Sequence, residues 1–274
     1  MPRSLVRATD LDVLARDRVI ERRADHLVVR SPSQPEFYWG NFLIFDDAPG
    51  PGDCEAWEGL FRDAFSEEPH VRHRAFAWDS SDGRLGNARE EFEARGYRID
   101  ESVGLVAEAG GLAPHGRANR QVEIRALEPF ADEELWASVV DVQVANRDDV
   151  FEDAFAYRAF SSGRLARLRE LFQDGHGTWY VALDPGTTEV VGSCGIVVTD
   201  GRGRYQAVDT APTHGRRGIC SRLVVEASRL STEAFATERF VIVADASYHA
   251  LGLYESLGFE RRERAAGVLL MPRE

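Results

Sequence analysis

Cysteine is scarce in this chain: three residues in 274, Cys54, Cys194 and Cys220, with no Cys-x-x-Cys spacing and no Cys/His pairing. That excludes a disulfide framework and a structural zinc site, and the expectation is reduced thiols in a cytoplasmic protein with no metal. Long apolar runs are missing too. No stretch approaches the roughly 20 apolar residues of a membrane span, and the first ten residues reach Asp10 before any such run. The chain therefore reads as neither secreted nor inserted. Positive charge is in deficit, with 33 Lys and Arg against 46 Asp and Glu and a net charge of −13. Such a surface repels a phosphate backbone and an anionic membrane, so nucleic acid and lipid are not expected partners, while cationic amines approach it readily. What is present is a large apolar fraction, 43% hydrophobic and 10% aromatic, enough to bury one large core or two modest ones.

The clearest break in composition is Ala109 to Arg120, AGGLAPHGRANR, rich in Gly and without a hydrophobic period. It divides the chain into residues 1–110, a linker at 111–120, and residues 121–274. Before it, Phe37 to Phe45 and Arg74 to Trp78 have strand character, and Glu55 to Ser66 and Ala88 to Arg95 look helical, with a further strand from Tyr97 to Val106. After it, the spacing of Leu135, Val139 and Val142, and of Leu165, Leu168 and Leu171, predicts helices over 132–145 and 154–172. A short strand at 122–125 precedes them. Three strands follow, at 179–183, 190–198 and 205–210, then a helix over 217–234, a strand at 239–244, a helix over 248–256 and a strand from Phe259. The order is βααβββαβαβ. Phe92-Glu-Ala-Arg-Gly-Tyr97 and Tyr254-Glu-Ser-Leu-Gly-Phe259 share an aromatic-Glu-x-x-Gly-aromatic pattern at a helix end, and the same strand-helix-strand-helix order precedes each. The reading is a duplication.

Chemistry concentrates at Tyr205 to Val225, YQAVDTAPTHGRRGICSRLVV. A strand ends near Thr210, Pro212 turns the chain, and a helix begins where Gly215 and Gly218 keep side chains out of the way. The unpaired N–H groups of a helix's first turn form a seat for an anion such as pyrophosphate. Arg216 and Arg217 oppose the helix dipole there, a placement easier to understand with an anion bound.

This strand-turn-GRRGIC-helix unit, followed 36 positions after Gly218 by Tyr254 in YESLGF, resembles the GCN5-related N-acetyltransferase (GNAT) family. That family's pattern is Gln/Arg-x-x-Gly-x-Gly/Ala, and the chain carries Gly215, Gly218 and Cys220 at its three defining positions. The resemblance implies an α/β fold of two GNAT-like domains, each a mixed, mostly antiparallel sheet flanked by helices. It also implies acetyl-CoA as cosubstrate and direct transfer of the acetyl group to a primary amine, most simply of a small molecule. Pyrophosphate would meet the amides of Arg216, Arg217, Gly218, Ile219 and Cys220, beside Gly215. The pantetheine arm would pair with the backbone of Val208, Asp209 and Thr210, and an N–H of Val208 or Asp209 would face the developing oxyanion. Ser247 occupies a coenzyme-contacting position, and Tyr254 would protonate the departing thiolate.

For the general base, the family's usual Glu is replaced by Gln206, which leaves Asp209, Asp148, Glu152 and Asp153 as candidates. His176, His214 and His249 read as exposed or capping residues. In the first half the corresponding turn, Asp46 to Asp53, holds Pro49, Pro51 and three aspartates, and Phe92 stands where Tyr254 does. That half reads as a degenerate domain without its own site, able to shape an acceptor pocket or to mimic a dimer partner, so monomer and homodimer both stay open. The competing reading is a catalytically silent acyl-CoA-binding protein.

Overall fold

A computed structural model of the protein describes residues 1–148, 151–247 and 250–272. Its elements in chain order are α1 (Leu5–Asp12), β1 (Val19–Arg22), β2 (His26–Arg30), β3 (Phe42–Phe45), α2 (Asp53–Ala64), β4 (Arg74–Trp78), α3 (Arg89–Ala94) and β5 (Arg98–Glu108). There follow β6 (Glu123–Ala126), α4 (Glu133–Ala145), α5 (Ala154–Gln173), β7 (Gly177–Leu183), β8 (Val190–Thr199), β9 (Arg202–Thr210), α6 (Ile219–Phe235), β10 (Arg239–Asp245), α7 (Leu251–Leu257) and β11 (Glu260–Leu270). From β6 onward this is the order read from the sequence. The aromatic run before β3 differs from a continuous strand, because Tyr38–Gly40 forms a 3-10 turn. Asn41 fixes that turn: its amide donates to the carbonyls of Gln34 and Phe37, and its carbonyl accepts from Ser31. Phe37, Tyr38 and Trp39 then pack on the core from the turn rather than from a strand, so their aromatic content reports burial and not strand geometry.

Two compact units result, and they are not the two sequence halves. Residues 1–104, 243–247 and 262–272 form the first, and residues 105–242 and 250–261 the second. In the first, β1, β2 and β3 are antiparallel neighbours and β3 pairs parallel to β4. The free edge of β4 is closed by β11, antiparallel, with Gly267 opposite Ala77 and Leu269 opposite Ala75. The last strand of the chain thus completes the sheet begun by its first residues, leaving β4 no exposed edge there. Trp57 of α2 stacks on Phe45 with ring centroids 3.7 Å apart and meets Phe76, Trp78 and Phe92, which makes an aromatic core beneath the helix.

In the second unit the order is β10-β9-β8-β7-β6, antiparallel throughout except for the parallel β9–β10 pair. Trp179 and Tyr180, adjacent on β7, point to opposite faces. Trp179 meets Trp136 of α4, while Tyr180 reaches Ser231 of α6, so helices cover both sides. Helix α6 buries Ile219, Leu223, Val224 and Ala227, the stripe its sequence period predicts. The Gly-rich stretch after β5 is part of this unit. Ala113 N–H donates to Leu257 O, His115 N–H to Ser221 Oγ and Asn119 N–H to Gly218 O, at 3.0, 2.9 and 3.0 Å. A segment without hydrophobic period is held here by its own backbone donors. Among the described residues no helix is long and apolar enough to cross a membrane.

Leu269 is 2% exposed within the first unit's core. Leu269→Ala, near the end of β11, is expected to lower stability by about 2–5 kcal/mol in urea unfolding, the cost of a core cavity and not of a frayed tail.

Candidate functional site

The site begins with a register shift. Across the β8–β9 ladder Ser193 faces Asp209 and Gly195 faces Gln206, so Ala207 and Val208 together oppose Cys194. This bulge bends β9 and drives Ala207 to a φ of +41°. On its other side β9 pairs with β10 only from Arg202 to Arg204. Beyond that point no strand pairs with this edge of β9 among the described residues, and the Thr210 carbonyl accepts from the Asn146 amide. The edge before it at Val208 suits an extended ligand adding alongside.

The chain then passes through a 3-10 turn, Pro212–His214, into α6. Arg216 has φ +60° and Gly218, the N-cap, φ +74°. A left-handed arginine costs about 1 kcal/mol, and it turns successive N–H groups toward one side. The first backbone bond into the helix is Arg222 N–H to Gly218 O, which leaves the amides of Ile219, Cys220 and Ser221 without a main-chain acceptor among the described residues. Arg216 and Arg217 are exposed beside them. Donor set and charge both suit a pyrophosphate. Gly218 is required for a second reason: a Cβ there would sit 2.0 Å from Arg117 O. Gly215, by contrast, has φ −57° and an open neighbourhood, its nearest contact being Pro212 O at 3.5 Å.

Asp209 follows the bulge on β9, opposite Ser193. Burial, reinforced by Asp148, pushes its carboxyl up to about 6. A carboxylate in that range holds and releases a proton near neutral pH, the property a general base needs. Cys220 and Cys194, both under the field of Asp209, are pushed away from reactivity: burial raises Cys220 to about 12 and lifts Cys194 well above the ordinary thiol value, so neither offers a thiolate nucleophile.

The remaining sequence-derived residues separate. Tyr254 is buried on α7, 6.2 Å from the Phe259 ring, and its helix ends on Gly258 at φ +109°. Ser247 belongs to the first unit, where its N–H and hydroxyl both donate to Asp245. Asp153 is the N-cap of α5, accepting from Phe155 and Ala156 N–H, a structural use of the carboxylate that removes it from the base candidates. Glu152 is exposed, and Asp148 is exposed beside Asp209. His176 bonds the Val198 carbonyl and His214 the Thr213 hydroxyl. His249 lies outside the described residues. Among those residues no three His, Cys, Asp or Glu side chains gather as a metal site.

Sequence reasoning missed the face of α5 that looks on β9. Tyr157 couples to Asp209 and bonds Ser161, and Arg164 donates to Gln206 Oε1 at 3.1 Å. Their i, i+4, i+7 spacing was the available signal, overshadowed by the leucine stripe of the same helix. Asn146, whose amide donates to Thr210 O at 3.1 Å, ties the end of α4 to the end of β9.

The turn before α2 in the first unit offers a contrast. Gly52 N–H donates to Glu91 and Gly50 N–H to Asp53, at 2.9 and 2.7 Å, so its donors are already engaged by carboxylates.

Residues 143–259 match the acetyltransferase (GNAT) family. No curated protein matches the sequence. Among solved structures the chain is similar to a GCN5-related N-acetyltransferase from Kribbella flavida, at 15% identity and a TM-score of 0.67, covering 97% of this chain and 94% of that one. It is similar also to a functionally unknown conserved protein from Staphylococcus epidermidis, at 17% identity and 0.69, covering 94% and 95%. A tandem GNAT protein from the clavulanic acid biosynthesis pathway aligns at 10% identity and 0.58, covering 95% and 85%. At these identities the similarity establishes the fold.

The two glycines of the turn are expected to respond differently. Gly218→Ala forces a Cβ into Arg117 O at a left-handed φ and should cost at least about 1–2 kcal/mol in thermal or urea unfolding. Gly215→Gln should change stability by less than about 0.5 kcal/mol in the same measurement.

Proposed function

We propose that this chain, in which residues 143–259 are a domain of the acetyltransferase (GNAT) family, transfers an acetyl group from acetyl-CoA to a primary amine of a small molecule in the cytoplasm. The observation that carries the reading is the coincidence, within one unit, of three features: an edge of β9 without a paired strand after Arg204, a helix start at Arg216–Cys220 suited to an anion, and on the same strand end the Asp209 carboxyl pushed up to about 6. The family match supports acyl transfer, and acetyl-CoA is its cosubstrate.

In this reading the amides of residues 216–220, with Arg216 and Arg217, hold pyrophosphate, and β9 pairs with the pantetheine arm as an added strand. The amine arrives as a cation favoured by Asp209 and Asp148. Asp209 accepts its proton, the neutral nitrogen attacks the thioester carbonyl, and an N–H of Val208 or Asp209 stabilises the developing oxyanion. The Tyr254 hydroxyl protonates the departing thiolate. The inert thiols of Cys194 and Cys220 favour this direct attack over an acyl-cysteine route. The first unit, its turn donors engaged by Asp53 and Glu91, works as a silent GNAT-like partner.

The reading is tested by thiol release from acetyl-CoA across an amine panel. Asp209→Asn is expected to lower kcat/KM by about 10²–10⁴ and to abolish a rise in kcat/KM through pH 6, while the Kd of acetyl-CoA changes little. Binding of acetyl-CoA without turnover of any amine, with Tyr254→Phe indistinguishable from wild type, would identify an acyl-CoA-binding protein instead.

The same substitution carries a stability signature. A carboxyl whose pKa is raised on folding stabilises the native state below its unfolded value of about 3.8, and that contribution is lost as pH rises through about 6. Asp209→Asn should therefore raise unfolding stability at pH 8, by up to about 3 kcal/mol, and by much less at pH 4.

A further inference from the structure

The β8 residue paired with Asp209 is Ser193, which is fully buried and whose hydroxyl has no hydrogen-bond partner among the described residues. A Cβ on the preceding Gly192 would meet Ile219 and Leu223, so Gly192 faces α6. Ser193, next along the strand, therefore faces the opposite side of the sheet. Residues directly opposite on antiparallel strands project to one face, with Cβ atoms about 4.5–5.5 Å apart. Asp209 is thus on the face of Ser193, and a side-chain rotation brings hydroxyl and carboxyl into reach of each other.

A buried hydroxyl without a partner is unfavourable, and alanine would occupy the same place without that penalty. The serine is accounted for if it serves a neighbour that changes charge. Among the described residues, the groups whose charge couples to Asp209 are Asp148 after α4, Tyr157 of α5, Cys194 of β8 and Cys220 of α6. All four are acids, neutral or negative, so none of them stabilises a carboxylate. A hydroxyl donor on the same face does.

We propose that Ser193 is a positioning residue for the base: its hydroxyl donates a hydrogen bond to the ionised Asp209 carboxylate, holding it in one orientation and favouring the charged form. The serine keeps its own proton throughout; the proton that moves is the amine's, taken up by Asp209. The inference rests on the acetyl-transfer reading for the role of Asp209, and it adds the group that holds that base ready.

The test is an NMR titration of the full chain with isotope-labelled aspartate carboxyls, the Asp209 signal being assigned by its absence in Asp209→Asn. Loss of a donor to the charged form raises the midpoint, so Ser193→Ala should titrate about 1 pH unit above wild type. Ser193→Thr, which keeps the hydroxyl, should stay within about 0.3 of wild type. Ser193→Cys, a weaker donor of similar shape, should fall between the two and replaces Ser193→Ala if that variant does not fold. The pH profile of kcat/KM should move by the same amount in the same direction, with the loss of activity confined to its acid side. An Asp209 midpoint unchanged or lowered in Ser193→Ala, or a Ser193→Thr midpoint equal to that of Ser193→Ala, would overturn the assignment. Absence of turnover with every amine would instead remove the transfer reading, while the NMR titration still decides whether Ser193 holds the carboxylate.

Discussion

Ala207 and Val208 share a single partner, Cys194, across the β8–β9 ladder, and the rest of the site depends on that extra residue. Without it β9 would alternate regularly and Asp209 would fall on the other face of the sheet. With it, Asp209 turns into a half-buried position between α5 and the start of α6, where desolvation raises its pKa toward neutrality. The same distortion accompanies the loss of pairing with β10 after Arg204, which leaves that edge of β9 without a partner strand among the described residues. One backbone irregularity thus accompanies both an unpaired strand edge and a carboxyl of raised pKa, at the cost of one left-handed alanine.

The two units use a similar succession, strand, helix, parallel strand, helix, to different ends. In the second, Gly218 holds a left-handed cap against Arg117 O, and the donors of α6 stay open. In the first, Gly52 is also a left-handed N-cap, yet Glu91 and Asp53 accept from the neighbouring amides. An anion there would compete with carboxylates already in place. The final strand, closing the sheet of the first unit through β4, keeps that unit part of the folding problem of the whole chain.

The fold of the second half was largely legible because its helices carry long apolar stripes, Leu165 to Leu171 and Ile219 to Ala227, and its strands are bounded by Gly and Pro. The turn before α6 was legible as a turn because Pro212, Gly215 and Gly218 break the strand and open the helix. Other features were hidden for physical reasons. Strand exchange depends on partner choice between edges, which no local pattern encodes, so β11 could not be assigned to the first unit from its own residues. The pKa of Asp209 and the α5 face of Tyr157 and Arg164 arise from burial between elements distant in sequence. Phe37 to Phe45 misread as one strand because aromatic burial and strand propensity look alike until Asn41 is seen to bind the turn.

The central claim is one acetyl-CoA site per chain, built on the helix that begins at Ile219. Calorimetric titration of the protein with acetyl-CoA measures it directly. The expected result is a stoichiometry of one that is lost in a folded Gly218→Ala variant and kept in Gly52→Ala; two sites per chain, or binding that survives Gly218→Ala and disappears with Gly52→Ala, would contradict it.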